Sequence, residues 1–193
     1  MLVGNKIHGN ASTAVNNRAL ACVNWLATQS TAVQDMLARQ DILLLVMVTV
    51  GAGDQDTVVK WQANKTRITV SVYVAQQDPP LKLEQDLLHE LILHAEPATE
   101  KHLAAVNNQT APDYPSDDSD IEAEEEAEHA DVNRWYRVAV IARANGMGLL
   151  ERAIADAASE NTATATTLLQ RLANAHQITA GQARELQEDL VDV

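Results

Sequence analysis

The stretch Leu87-Leu88-His89-Glu90-Leu91-Ile92-Leu93-His94 decides how this chain is read. Two imidazoles and one carboxylate stand among aliphatic residues, and Leu83, Leu87, Leu88, Leu91 and Ile92 recur at helical spacing. A helix is therefore predicted from just after the breaker Asp78-Pro79-Pro80 to about Asn107. The two histidines are five residues apart. On a regular α-helix this is about 500° of rotation, which leaves the side chains about 140° from each other. An undistorted helix cannot aim both rings at one point. A one-residue helical bulge can, and such bulges occur mostly at functional sites.

Upstream of this helix lie two segments of strand character. Ile42-Leu43-Leu44-Leu45-Val46-Met47-Val48-Thr49-Val50 is continuously apolar and is followed by the turn Gly51-Ala52-Gly53, as suits a strand buried on both faces. Its length is far short of the roughly 20 residues needed to span a bilayer. From Arg67 to Ala75, Ile68, Val70, Val72 and Val74 alternate with Arg67, Thr69, Ser71 and Tyr73. That period of two predicts a half-exposed strand at a sheet edge. Residues 11–39 read as one or two helices, capped at Ser12 or Thr13 and again at Ser30 or Thr31.

Downstream, residues 108–119 are loop-like, and Ser119 or Asp120 can cap a helix that runs to Ala144. Asn145-Gly146 and Gly148 stop it. Two or three further helices follow, the last introduced by the capping-box pattern Thr179-Ala180-Gly181-Gln182. The predicted fold class is α+β: mainly helical, with a small two- to three-stranded sheet and the motif helix. The chain is read as a single domain over 1–193, with a core over 40–145 and C-terminal helices over 146–193.

Composition narrows the function. The net charge of −13 sets the chain against phosphate backbones and anionic lipid, so neither nucleic acid nor a membrane is an expected partner. A basic protein or a cation suits it better. Cys22 is the single cysteine, which excludes an intramolecular disulfide and a cysteine-based zinc cluster. On its apolar helix stripe it reads as an inert core thiol. The N-terminus has no long apolar segment of the Sec-signal type, and localisation is expected to be cytoplasmic in the producing cell. There is no G-x-S-x-G, P-loop or G-x-G-x-x-G.

What remains is His89, Glu90 and His94. Hydrolytic zinc sites place imidazoles on one rigid element with a carboxylate beside them to take a proton from water. A bulge here would give up about 1 kcal/mol, one net backbone hydrogen bond. Zinc contributes roughly 10 kcal/mol or more in small structural sites. The plain alternative is a helix margin on which Glu90 and His94 form a surface pair four residues apart. The chain would then be a non-enzymatic acidic protein whose 113–131 segment binds a basic partner.

His89-Glu90-Leu91-Ile92-Leu93-His94 resembles the H-E-x-x-x-H motif of the dipeptidyl peptidase III family. With one residue inserted, it is also similar to the motif helix of small zincin-type bacterial effector metallopeptidases. The similarity covers roughly residues 66–131. It implies Zn2+ as cofactor, a peptide or protein substrate, and Glu90 as the catalytic base toward a metal-activated water. It further implies an effector or toxin exported by a specialised secretion system. In zincins the strand before the motif helix binds extended peptide by strand addition, a part assigned here to Arg67–Ala75. A third metal ligand is needed, and Glu124-Glu125-Glu126-Ala127-Glu128-His129-Ala130-Asp131 offers one. His129 is favoured beside His89 and His94, with Glu125 or Glu126 either orienting its other nitrogen or ligating in its place. His102 is the reserve, although it, His8 and His176 read more simply as surface or capping residues. Tyr114 and Tyr136 are candidate oxyanion donors, and Trp25, Trp61 and Trp135 read as core or semi-buried anchors.

Overall fold

The computed structural model of the chain describes residues 7–8, 13–38, 43–50, 58–61, 67–74, 81–110 and 118–190. The turns predicted at Gly51-Ala52-Gly53 and Asp78-Pro79-Pro80, the residue Tyr114, and the side chains of His8 and Trp61 lie outside what is described. Backbone proximity divides the chain into two compact units, Met1–Tyr114 and Pro115–Val193. The core expected over 40–145 runs across that boundary.

In the first unit, α1 (Thr13–Gln29) and α2 (Thr31–Ala38) precede the motif helix. The buried stripe of α1 is Ala19, Cys22, Val23 and Leu26, a spacing of three and four that lines one helical face. Ser30 separates the two helices, and its hydroxyl accepts from the Val33 N–H at 3.4 Å. Then comes an unbroken helical run in three parts: α3 (Lys82–His89), a π-helical segment (Glu90–Ala95) and α4 (Glu96–Asn107). α1 lies against α3, and α2 against α4. Two N–H groups of Arg18 grip the Glu84 carboxylate, with Nε at 2.6 Å from Oε1, and fix α1 to the start of α3.

The α+β expectation with a two- to three-stranded sheet is corrected. Of the residues described down to their side chains, 87% are helical and none belongs to a strand. Strand pairing is described for the backbone, and it joins four segments rather than two or three: β1 (Ile7–His8), β2 (Leu43–Val50), β3 (Val58–Trp61) and β4 (Arg67–Val74), in the order β1-β2-β4-β3. β2 and β4 run parallel, with Leu43 opposite Arg67 and Val50 opposite Val74. The chain between them must cross over, and it places β3 antiparallel on the far side of β4. The segment predicted as an edge is thus interior. Alternation reports that a strand's two faces differ, not how many neighbours its edges have. β3 at one end of the sheet and β1 at the other carry no signal of their own, because four and two residues are too few to show a period.

The second unit is helical throughout its described residues: α5 (Asp118–His129), α6 (Val132–Ala144), α7 (Met147–Glu160), α8 (Thr162–Asn174) and α9 (Ala180–Asp189). α6, α7 and α8 pack on one another, α9 packs on α8, and α5 lies against α7. Trp135, Val138, Ala139 and Ala142 form the buried face of α6; Ala165, Leu168, Leu169 and Leu172 form that of α8. Trp135 alone is expected to contribute about 3–5 kcal/mol by the usual cost of truncating a buried indole. The single helix expected from Ser119 or Asp120 to Ala144 is corrected to two, α5 and α6, because Asp131 turns extended and caps a new start. Asp131 caps α6 through the Asn133 N–H at 2.8 Å, and Asn161 caps α8 through the N–H groups of Ala163 and Thr164. Thr179 and Gln182 close a reciprocal capping box on α9. Asn145 ends α6, and Gly146, at φ 120°, makes the turn into α7.

Candidate metal centre

The motif helix is built to be buried. Leu83, Leu87, Leu88, Leu91, Ile92 and Leu93 are at most 2% exposed, so its orientation is fixed by a continuous apolar contact. β3 and β4 pass alongside its π-helical segment. The bulge that the five-residue spacing calls for is present. Over Glu90–Ala95 the hydrogen bonds reach five residues back, and the Glu96 N–H donates to the Leu91 carbonyl. A turn bonded in this way brings residues five apart onto one face.

The consequence is visible at the rings. His89 Nε2 and His94 Nε2 stand 3.2 Å apart, with centroids at 5.1 Å and planes inclined by 48°. Two nitrogens each about 2.05 Å from one tetrahedral zinc ion would be about 3.3 Å apart. The pair therefore already has the separation of two ligands on one ion. It has it without side-chain rearrangement.

The irregular turn has a cause in the chain. Pro97 lies in the first turn of α4. A proline lacks the N–H a regular helix would need there, and its ring crowds the carbonyl four residues back, that of Leu93. A widened turn relieves both demands. The Thr99 hydroxyl donates to the Ala95 carbonyl at 2.7 Å and takes up one acceptor at the end of the segment. Pro97 is the signal the sequence offered for the bulge and the spacing of histidines did not need.

Glu90 is 4% exposed. That corrects the plain alternative of an exposed Glu90–His94 surface pair, since the carboxylate is inside the protein next to His89. His102, read as a surface or capping residue, is instead buried at 7% exposure on α4, in the company of the buried polar residues Glu96 and Thr99. His176 is exposed at the end of α8, in the left-handed region at φ 54°.

In the second unit, His129 ends α5. Its carbonyl accepts from the Trp135 indole N–H at 2.8 Å, and the two rings stack at 6.4 Å with an interplanar angle of 30°. Its Nδ1 faces Glu160 Oε2 at 3.4 Å. The residues expected to orient it, Glu125 and Glu126, are exposed on α5. The carboxylate beside its ring belongs instead to a residue 31 positions downstream, which no local spacing could have announced. Tyr136 carries the guanidinium of Arg171 over its ring, 4.3 Å from the centroid, so its face is engaged within the helical unit.

Elsewhere, Cys22 is buried, and burial first, then the nearby Glu84 charge, pushes its thiol up to about 12. It stays protonated at neutral pH and has no nucleophilic part to play. No helix among the described residues is long and apolar enough to cross a membrane. The chain matches no family model, no curated protein and no solved structure.

Proposed function

We propose that the chain is a zinc-dependent hydrolase acting on peptides, with His89, His94 and His129 as ligands and Glu90 as the base. The observation that carries this is the 3.2 Å separation of the His89 and His94 Nε2 atoms across a π-helical turn. The third ligand is carried from the sequence, in which His129 stands in the acidic segment downstream of the motif helix. Imidazole ligands with a carboxylate beside them make a donor set that suits zinc in a catalytic rather than a structural role.

Zinc bound there supplies Lewis acidity toward a carbonyl and makes water easier to deprotonate. The protein does the rest. The bulged turn holds two imidazoles at ligand spacing, so little ordering is left for binding to accomplish. The buried carboxylate of Glu90, one residue from His89, receives the proton from water and returns it to the departing amine. The aliphatic surroundings keep bulk solvent away from that exchange. The peptide class of substrate draws on the resemblance to zincins and on β3, the end strand of the sheet, which passes the π-helical segment and has no further described strand on its outer side.

The experiment is elemental analysis of purified protein with peptide hydrolysis, on the native chain, His94→Ala and Glu90→Gln. The expected results are one zinc per native chain, much less in His94→Ala, and full zinc with hydrolysis lowered at least about 100-fold in Glu90→Gln, the scale of general-base removal. Equal, sub-stoichiometric zinc in the native chain and His94→Ala would overturn the proposal.

A further inference from the structure

We infer that Glu160 is a positioning residue for His129: its carboxylate accepts from the ring's Nδ1–H and so presents Nε2 as the ligand atom. This rests on the proposed part of His129 in the metal centre. The chain offered that role to Glu125 and Glu126, which lie near His129 in sequence, but both are exposed on α5. Glu160, the last residue of α7, instead places Oε2 at 3.4 Å from His129 Nδ1.

The ring is held on its other sides as well. The stacked indole of Trp135, itself fully buried, covers one face, and the Trp135 N–H anchors the His129 carbonyl. With the backbone anchored and the face covered, the remaining freedom is the choice of which nitrogen carries the hydrogen. A neutral imidazole carries one N–H, and a carboxylate beside Nδ1 selects the tautomer in which Nε2 keeps its lone pair. Ligand histidines in metal centres are commonly oriented in this way, and loss of the orienting group typically weakens metal binding 10- to 100-fold. The His129 side chain is 15% exposed and that of Glu160 45%, so the carboxylate reaches the ring from the solvent side and can be replaced without opening a core cavity.

The test uses the full chain with Glu160→Ala and Glu160→Gln. Zinc affinity is measured by competition with a chromophoric chelator, and the His129 tautomer is read from imidazole nitrogen chemical shifts in metal-free protein. The expected result is a zinc affinity about 10-fold or more lower in Glu160→Ala, with partial recovery in Glu160→Gln, whose side-chain oxygen still accepts. In the metal-free protein, the Nδ1–H form should dominate in the native chain and decline in Glu160→Ala. A purely structural Glu160 would lower the melting temperature and leave tautomer and affinity alone, and that outcome would overturn the inference. If the native chain takes up no zinc, the metal centre itself fails; the tautomer measurement still decides the Glu160–His129 coupling.

Discussion

Deleting Leu93 should leave the histidine pair able to hold zinc, although it removes a residue from the middle of the motif. The deletion places His94 four positions after His89, where a regular α-helix sets the two rings about 40° apart and facing the same way. The π-helical turn is then no longer required, and its extra residue is absorbed without rotating the flanking α3 and α4 against each other. The energy can be followed from the structure. Leu93 is fully buried, so its loss removes about 2–3 kcal/mol of apolar burial. Restoring regular hydrogen bonding returns about 1 kcal/mol. The variant should therefore be about 1–2 kcal/mol less stable and melt a few degrees lower. Its zinc affinity, measured by chelator competition, should stay within about tenfold of the native chain, each factor of ten being about 1.4 kcal/mol. The opposite change, one alanine inserted between Ile92 and Leu93, sets the histidines six apart and should abolish binding. If the deletion variant keeps a native far-ultraviolet spectrum yet binds zinc as poorly as His94→Ala, the reasoning from the bulged turn is refuted.

Two further outcomes follow from positions remote from the histidines. The Cys22 thiol is pushed up to about 12 in the folded chain from an ordinary 9.0, so the folded state keeps its proton while the unfolded chain loses it above about pH 9. Its contribution to stability is whole below pH 9 and is lost as the pH rises toward 12, by up to about 1.4 kcal/mol per pH unit; denaturant midpoints at pH 8 and 10.5 should diverge in the native chain more than in Cys22→Ala, and equal slopes would contradict this. Gly146 sits at φ 120° with open space around its Cα, so Gly146→Ala should lower stability by about 1–2 kcal/mol through backbone strain alone, read as a lower melting temperature with an unchanged spectrum.

How much of this was legible depends on how local each feature is. The caps were readable because a cap is a matter of one side chain and the next three residues: Thr179 with Gln182, and Asn145-Gly146 at the end of α6. The widened turn is readable because five residues of spacing allow few geometries, and Pro97 favours it as well. The sheet was misjudged because neighbours are a tertiary property. β4 has the alternation of a half-exposed strand, yet it is paired on both sides. His102 looked like a surface residue because polarity was read without its fold, and the helix carries it inward. Glu160 was invisible beside His129, since only the return of α7 brings the two together.

Under the proposed function, Pro97 has a consequence for how zinc would be loaded. Because a covalent ring, and not a bound ion, favours the widened turn, the spacing of the two imidazoles is written into the polypeptide. Loading and stripping should then be reversible traffic at a standing berth, unlike small zinc modules that collapse when their ion is removed. The empty form would be a durable species, able to wait folded for whichever cation its compartment supplies.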